Sequence, residues 1–133
     1  MRFMLDTNTC IFLIRRKHAG LLRRIVSCNP GDLGISAITL AELEYGVAKS
    51  GQLDRNRNAL TEFLLPLEIA PFDDVAARTY GVVRAHLESK GTPIGSLDAL
   101  IGAHALSRGI ILITNNTREL KRIPQLQVTD WSR

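Results

Sequence analysis

Short runs of apolar residues alternate along the chain with longer segments in which apolar positions recur every three or four residues. The short runs are typical of buried strands, and the longer segments are typical of amphipathic helices. Five strands are predicted, the last weaker than the others, over residues 2–6, 33–37, 67–72, 110–114 and 127–131. Six helices are predicted, over residues 7–16, 19–27, 39–50, 54–65, 73–90 and 96–108.

This alternation predicts an α/β fold. Strands as apolar as these are typical of a parallel sheet whose two faces are both covered by helices. The long helix over residues 73–90 is expected to bury Val75, Val83 and Leu87. The length of 133 residues is that of one domain, and no repeat or linker divides the chain. We therefore predict a single domain over residues 1–133 with a central, mainly parallel sheet flanked by helices.

The composition excludes several other classes of protein. Apolar residues make up 45% of the chain and charged residues 23%, which argues against disordered, collagen-like and coiled-coil proteins. Cys10 and Cys28 lack the spacing of a disulfide framework or a zinc site, so both are expected to be reduced thiols in the core. The apolar run 10–14 is too short to cross a bilayer, and Asp6 interrupts any signal-peptide pattern. We expect a soluble, cytoplasmic protein without a membrane partner.

The net charge of +4 makes a polyanionic partner plausible. The basic residues concentrate in two clusters, which are most often solvated faces and alternatively contact nucleic-acid phosphates. Aromatic residues make up only 5% of the chain, so no stacking platform for single-stranded bases is evident. Any nucleic-acid binding is therefore expected to depend on phosphates. The clusters are Arg15, Arg16, Lys17, Arg23 and Arg24, and Arg118, Lys121 and Arg122.

Three carboxylates, those of Asp6, Glu42 and Asp98, stand where predicted elements meet. Each has a structural explanation. Asp6 is placed to cap the first helix, and residues 39–42 match a capping box. Asp98 falls in the first turn of its helix, where the helix dipole favours negative charge. Taken singly, each carboxylate is more readily explained as part of a helix terminus than as a catalyst.

Topology gives the same residues a second interpretation. In a parallel sheet, each helix that follows a strand begins at the carboxyl edge, where open α/β proteins bind their ligands. Asp6, Glu42 and Asn116 therefore share this edge. Asn116, which is followed by Glu119 in the turn after the fourth strand, also has the structural explanation of a helix cap. The helix that begins near Asp98 leads into a strand that starts at the opposite edge, so its first turn also lies at the ligand edge.

A convergence of these carboxylates requires a counter-charge. At a separation of about 4 Å, each pair repels by about 4 kcal/mol at an effective dielectric constant of about 20, whereas a cap contributes about 1 kcal/mol. No Lys or Arg lies within three positions of Asp6, Glu42 or Asp98. A hard divalent cation such as Mg²⁺ or Mn²⁺ fits best. Gly102, one turn after Asp98, leaves space on the same face, although small residues also permit close helix packing.

Four segments of the chain resemble the PIN-domain ribonucleases, and most closely the VapC-type toxins of bacterial toxin–antitoxin pairs. Each segment alone is a weak signal, but four in order across nearly the whole chain are a strong one. The segments are MLDTN at residues 4–8, ITLAEL at 38–43, PIG at 93–95 followed by Asp98, and TNNTREL at 114–120.

The resemblance implies a PIN-domain fold and metal-dependent hydrolysis of RNA phosphodiester bonds. It assigns Asp6, Glu42 and Asp98 as metal ligands, with Mg²⁺ or Mn²⁺ as the cofactor. In the family a fourth acidic position often follows the last core strand, and here Asn116 and Glu119 are the candidates. The expected function is that of an endoribonuclease, the toxin of a type II toxin–antitoxin pair.

The resemblance also implies a homodimer and a cognate antitoxin that covers the active-site groove. The first helix is apolar over more of its circumference than one core-facing stripe requires. Residues 11–14, with Leu21 and Leu22, are therefore a hypothetical partner surface. Thr7 and Asn8 are candidates for orienting Asp6 or a water molecule, or for a structural role at the start of the first helix.

Two other functions remain as alternatives. Asp6 at a strand end is compatible with phosphoryl transfer through an aspartyl intermediate, although the second acid two positions later is missing. A non-catalytic α/β module that binds RNA or protein, with its acids acting as helix caps, is the non-enzymatic alternative. Histidine catalysis is less attractive, because His18, His86 and His104 are expected to be packed or half-exposed.

Overall fold

The computed structural model describes residues 1–132, which contain five strands and seven helices. The strands are β1 (Phe3–Leu5), β2 (Leu33–Ser36), β3 (Glu68–Ala70), β4 (Ile111–Ile113) and β5 (Val128–Thr129). The helices are α1 (Thr7–Arg15), α2 (Ala19–Val26), α3 (Ala37–Ala48), α4 (Leu53–Leu64), α5 (Asp74–Ser89), α6 (Ser96–Arg108) and α7 (Thr117–Leu120). Every predicted element is present, and α7 was not predicted.

The five strands form one sheet in the order β3-β2-β1-β4-β5, and every neighbouring pair is parallel. β1 is central, with Phe3 opposite Leu33 of β2 and opposite Ile111 of β4. From β1 the chain builds one side of the sheet through β2 and β3 and then crosses to β4 on the other side. The carboxyl ends of β1 and β4 therefore flank the topological switch point, where open α/β sheets bind ligands.

Both faces of the sheet are buried, as the apolar strands predicted. Successive residues of a strand point to opposite faces, so Met4 and Leu5 of β1 enter different cores. Leu5 packs in a core that includes Ile35 and residues of α1 to α4. Met4 packs in a second core with Leu112 and residues of α5, α6 and α7. The helices thus form a layer on each side of the sheet, and the α/β prediction is confirmed.

The start of α3 differs from the predicted one. The helix begins at Ala37 because Ser36, the last residue of β2, caps it by accepting a hydrogen bond from the Ile38 N–H at 3.0 Å. The predicted capping box at residues 39–42 is therefore wrong, since Glu42 lies in the second turn of α3. Its side chain is free to contact another element.

Several predicted burial assignments need correction. Val83 and Leu87 of α5 are buried, but Val75 is 49% exposed and was wrongly assigned to the core. Cys10 is a buried thiol whose pKa is raised, chiefly by burial. Cys28 is partly exposed and packs only at the margin of the core, so its assignment as a core thiol was wrong.

The three histidines lie as predicted, packed or half-exposed. His104 is buried, whereas His18 and His86 are half-buried. Among residues 1–132, no helix combines the length and apolar character that crossing a bilayer requires.

Candidate active site

Asp6 occupies the junction between β1 and α1. Its Oδ1 accepts a hydrogen bond from the Thr9 N–H at 2.9 Å, and its own N–H donates to the Ile113 carbonyl of β4 at 3.0 Å. The predicted helix cap is thus present, and the residue is almost fully buried. Capping engages only one carboxylate oxygen and does not prevent Asp6 from lining the cavity at the switch point.

Glu42 reaches the same region from α3. The Thr7 hydroxyl, on the first residue of α1, donates to Glu42 Oε1 at 2.6 Å. This short hydrogen bond fixes the carboxylate beside the end of β1, which explains why Glu42 does not act as a cap. Thr7 was a candidate for orienting Asp6, and the structure shows that it orients Glu42 instead.

Asp98 lies in the first turn of α6, as predicted, and is half-buried. The Asn116 amide donates from Nδ2 both to Asp98 Oδ2 and to Glu119 Oε2, each at 3.0 Å. Asn116 precedes α7, but its side chain makes no capping hydrogen bond there. The predicted capping explanation for Asn116 is therefore wrong, because its amide links two carboxylates.

Asp6, Glu42 and Asp98 line one open cavity of about 420 Å³, together with Thr7, Asn8 and residues 95–97. We name this space the acidic cavity. In residues 1–132, Asn116 and Glu119 are not among its lining residues, and they reach it only through Asp98. Also within that part of the chain, no three His, Cys, Asp or Glu side chains stand close enough to form a ready-made metal cluster. The carboxylates therefore share a cavity without touching.

Within residues 1–132, the carboxylates of the acidic cavity form no ion pair with a Lys or Arg side chain. None of the ion pairs found between residues 1 and 132 includes Asp6, Glu42, Asp98 or Glu119. Burial raises the pKa of Asp98, the hydrogen bond from Asn116 lowers it, and the negative charges of Asp6, Glu119 and Glu42 raise it further. Mutual repulsion of this kind is relieved by a bound cation.

The donor set fits a hard divalent cation. Carboxylate oxygens are the ligands that Mg²⁺ and Mn²⁺ prefer, and no thiol or imidazole lines the acidic cavity in the described chain. Mg²⁺ usually keeps several water ligands and is held by only one or two carboxylates. A spacious cavity with separated carboxylates therefore suits a hydrated ion better than a closed cluster would.

Gly102 does not provide the space that its position suggested. A side chain there would meet Ile123 Cδ1 at 2.5 Å and Leu120 Cδ1 at 2.9 Å. Its missing side chain lets α6 pack closely against the segment around α7, which carries Glu119. Gly102 therefore supports the site through packing, as the alternative explanation held.

A scan against family models matches the PIN domain over residues 3–126. The chain is 43% identical over 132 residues to the tRNA(fMet)-specific endonuclease VapC of Shigella flexneri, covering 99% of each chain. It is 45% identical over 131 residues to the protein of the same name from Salmonella typhimurium, covering 98% of each. This chain belongs to the PIN-domain family, in its VapC ribonuclease branch. VapC nucleases depend on a divalent metal ion, which agrees with the donor set of the acidic cavity.

Solved VapC structures share the whole fold. DNA-bound VapBC from Salmonella typhimurium superposes with a TM-score of 0.93 at 45% identity, covering 98% of each chain. VapBC2 from Rickettsia felis, bound to a promoter DNA fragment, gives a TM-score of 0.91 at 40% identity, covering 98% of this chain and 99% of the other. The chain is thus an endoribonuclease of the toxin–antitoxin type. The alternatives of an aspartyl-phosphate enzyme and a non-catalytic module are wrong.

Proposed function

We propose that this chain is a divalent-metal-dependent endoribonuclease that cleaves initiator tRNA in the cytoplasm, as a single domain spanning residues 1–133. One observation carries the proposal. Carboxylates from three separate elements line one open cavity at the switch point, and no Lys or Arg of residues 1–132 pairs with them. Repulsion among these carboxylates destabilises the folded state unless a cation binds between them.

Asp6, Glu42 and Asp98 are the proposed ligands of Mg²⁺ or Mn²⁺. The bound ion supplies a water of lowered pKa and stabilises negative charge that develops on the scissile phosphate. The chain's own residues hold the ligands in place. The Thr9 N–H orients Asp6, and the Thr7 hydroxyl orients Glu42.

Asn116 and Glu119 complete the proposed catalytic set behind Asp98. The Asn116 amide bridges the Asp98 and Glu119 carboxylates by donating one hydrogen bond to each. Asn116 is therefore a positioning residue, and Glu119 adds negative charge close to Asp98. Partners of this kind, which contact a ligand rather than the metal, typically change metal affinity or activity by about 10- to 100-fold when removed.

The substrate is proposed from two similar proteins. Those from Shigella flexneri and Salmonella typhimurium are named tRNA(fMet)-specific endonucleases, at 43% and 45% identity over nearly the full chain. The net charge of +4 suits a polyanionic RNA substrate. We propose the same tRNA for this chain.

A cognate antitoxin and a second copy of the chain are the proposed protein partners. Similar solved structures are toxin–antitoxin complexes. The hypothetical partner surface on α1 and α2 is smaller than expected, because Leu13 and Leu21 are buried in the core. Ile11, Phe12, Ile14 and Leu22 stay partly exposed and form the proposed antitoxin surface.

The deciding experiment is cleavage of purified cellular RNA by the purified protein with Mg²⁺, with Mn²⁺ or with a chelator, followed by mapping of the cut ends. We expect cuts in initiator tRNA with either metal and none with the chelator. Asp6→Asn and Asp98→Asn should abolish cleavage and change the melting temperature little. Asp74→Asn, which removes an exposed carboxylate from the first turn of α5, is the matched control.

Each part of the proposal has its own contrary result. Cleavage that persists in the chelator rejects metal dependence, and substantial activity in both site variants rejects the residue assignment. Metal-dependent cuts confined to another RNA reject only initiator tRNA as the substrate.

A further inference from the structure

A second concavity opens from the acidic cavity. It is a groove of about 470 Å³ between α1, α3 and α4, and Thr7, Asn8 and Glu42 line both spaces. We name it the helical groove. The two spaces therefore adjoin each other, so a chain molecule held in the acidic cavity can extend towards the helical groove. Its apolar lining includes Leu43, Val47 and Leu60, together with Ile11 and Ile14, which also belong to the proposed antitoxin surface.

The helical groove is also lined by polar and charged residues, namely Arg15 at the end of α1, Tyr45 of α3, Lys49 directly after α3, and Asn56 of α4. Arg15 lies eight residues after Thr7, so helix geometry places it about 12 Å along α1 from the acidic cavity. Neither Arg15 nor Lys49 forms an ion pair with any of residues 1–132. Both positive charges therefore line the groove without a carboxylate ion-pair partner in the described part of the chain.

Tyr45 is an unusual surface residue. It is 65% exposed, and Lys49 Nζ lies 4.9 Å from the centroid of its ring. An exposed ring of this kind beside an unpaired cation is the combination with which proteins bind single-stranded nucleic acid, by stacking a base and neutralising a phosphate. The low aromatic content predicted no stacking platform, and the exposed Tyr45 ring in the lining of the helical groove is an exception to that prediction.

The charge distribution of the helical groove favours a polyanion. Glu42 is the only carboxylate among its lining residues in the described chain, and it stands at the acidic-cavity end. Glu44, the next carboxylate on α3, is neutralised by Arg57 of α4 at 2.6 Å. Residues 7–31, which include α1 and α2, contain five Lys or Arg residues and no Asp or Glu. The positive potential thus increases away from the acidic cavity, along α1.

We propose that the helical groove binds the single-stranded RNA that flanks the scissile phosphate. Arg15 and Lys49 bind backbone phosphates, a base stacks on Tyr45, and the Asn56 amide hydrogen-bonds to a base or sugar. The inference rests on the proposed function, because it treats the acidic cavity as the cleavage site. It assigns substrate-binding residues outside the carboxylate set.

The test measures RNA affinity separately from cleavage. The Asp98→Asn protein is titrated, in Mg²⁺, against fluorescein-labelled single-stranded oligouridylate at several salt concentrations. Tyr45→Leu should raise the Kd by about 5- to 150-fold, the range expected for loss of one stacked base, and Tyr45→Phe should not. Arg15→Gln and Lys49→Gln should each weaken binding and reduce the salt slope by about one.

Matched charge controls come from Arg78 in α5 and from Lys90, which directly follows α5. Arg78→Gln and Lys90→Gln remove the same formal charge from exposed positions outside the helical groove. Both should leave the Kd and the salt slope close to those of the parent. In the cleavage-competent protein, the groove substitutions should raise KM for RNA and leave kcat unchanged, because they remove binding that is common to the ground and transition states.

The outcomes separate this inference from the proposed function. If the parent cleaves RNA but the groove variants bind like the charge controls, the inference is wrong and the proposed function stands. If the parent binds oligouridylate through these residues but cleaves no RNA, the proposed function is wrong and the inference about RNA binding stands. If the groove variants keep the RNA affinity of the parent but no longer bind the antitoxin, the groove is a protein-docking surface and the inference is wrong. The inference is also wrong if the parent binds no single-stranded RNA.

Discussion

Thr7 and Glu42 are 35 residues apart in the chain and are joined by a 2.6 Å hydrogen bond from the Thr7 hydroxyl to Glu42 Oε1. The bond connects the first residue of α1 to the second turn of α3. Thr7 directly follows Asp6 in the chain, so the bond fixes the position of Glu42 relative to Asp6. Both residues are proposed metal ligands. The acidic cavity is therefore held together by polar contacts between elements, as well as by the sheet beneath it.

Replacing Thr7 tests whether this bond orients Glu42. Thr7→Val keeps the shape of the side chain and removes the donor, and we expect metal affinity or kcat to fall by about 10- to 100-fold. Thr7→Ser keeps a hydroxyl and should retain most activity. Cleavage rates measured across a Mn²⁺ titration provide the readout. Equal losses in the two variants would contradict an orienting role for the hydroxyl.

Asn116 and its neighbour Asn115 form a natural pair for a second test. Asn116→Ala removes the amide between Asp98 and Glu119, so the two carboxylates lose their shared donor and metal binding should weaken by about 10- to 100-fold. Asn115 is exposed, and Asn115→Ala should have little effect. Mn²⁺ affinity measured by calorimetry distinguishes them. Similar affinities in the two variants would show that the bridge does not position the site.

His104 should make stability depend on pH. It is 1% exposed, its Nδ1 lies 2.8 Å from Ser36 Oγ, and its ring packs edge-on against Phe72. Burial lowers the pKa of His104, Arg108 lowers it further, and Asp73 and a backbone hydrogen bond to Pro71 oppose them. The unfolded chain therefore binds this proton more readily than the folded chain does. The contribution of neutral His104 to the free energy of unfolding is complete above the ordinary pKa of about 6.5 and is lost as the pH falls towards the lower pKa of the folded state.

The measurement is the urea unfolding midpoint of metal-free protein between about pH 5 and 7.5. His104→Gln should flatten the decline at low pH, whereas His86→Gln, at a half-buried position on α5, should leave it in place. The raised pKa of Asp98 changes the pH dependence of stability in the opposite direction, in the parent and in both variants. The prediction therefore concerns the difference between each variant and the parent. An undiminished decline in His104→Gln would exclude His104 as its source.

Two glycines should respond oppositely to alanine. A side chain at Gly34 in β2 would meet the Met1 side chain and lie 2.6 Å from the Glu68 carbonyl of the neighbouring strand, so Gly34→Ala should cost about 1–3 kcal/mol through overpacking. Gly81 lies within α5 with open space around it, and Gly81→Ala should stabilise the protein by up to about 1 kcal/mol. Chemical denaturation of both variants checks the signs, and a stabilising Gly34→Ala would be inconsistent with this close strand contact.

The sequence by itself determined the fold class and the edge at which the carboxylates lie. Apolar periodicity is a local signal, and it located every strand and six of the seven helices of residues 1–132 to within two residues. The position of Asp6 after β1 and of Asp98 at the start of α6 then followed from the chain directions in a parallel sheet. Such inferences succeed because they depend on neighbours in the chain and on one general rule of topology.

Only the tertiary structure decided what each side chain contacts. Residues 39–42 have the pattern of a capping box. In the structure, however, the Ser36 hydroxyl caps α3, and Glu42 accepts a hydrogen bond from the Thr7 hydroxyl. Asn116 likewise stands at a helix start and uses its amide elsewhere. Hydrogen bonds between residues far apart in the chain leave no local pattern. Their partners depend on how α1, α3, α6 and α7 pack around the sheet, which no short stretch of sequence encodes.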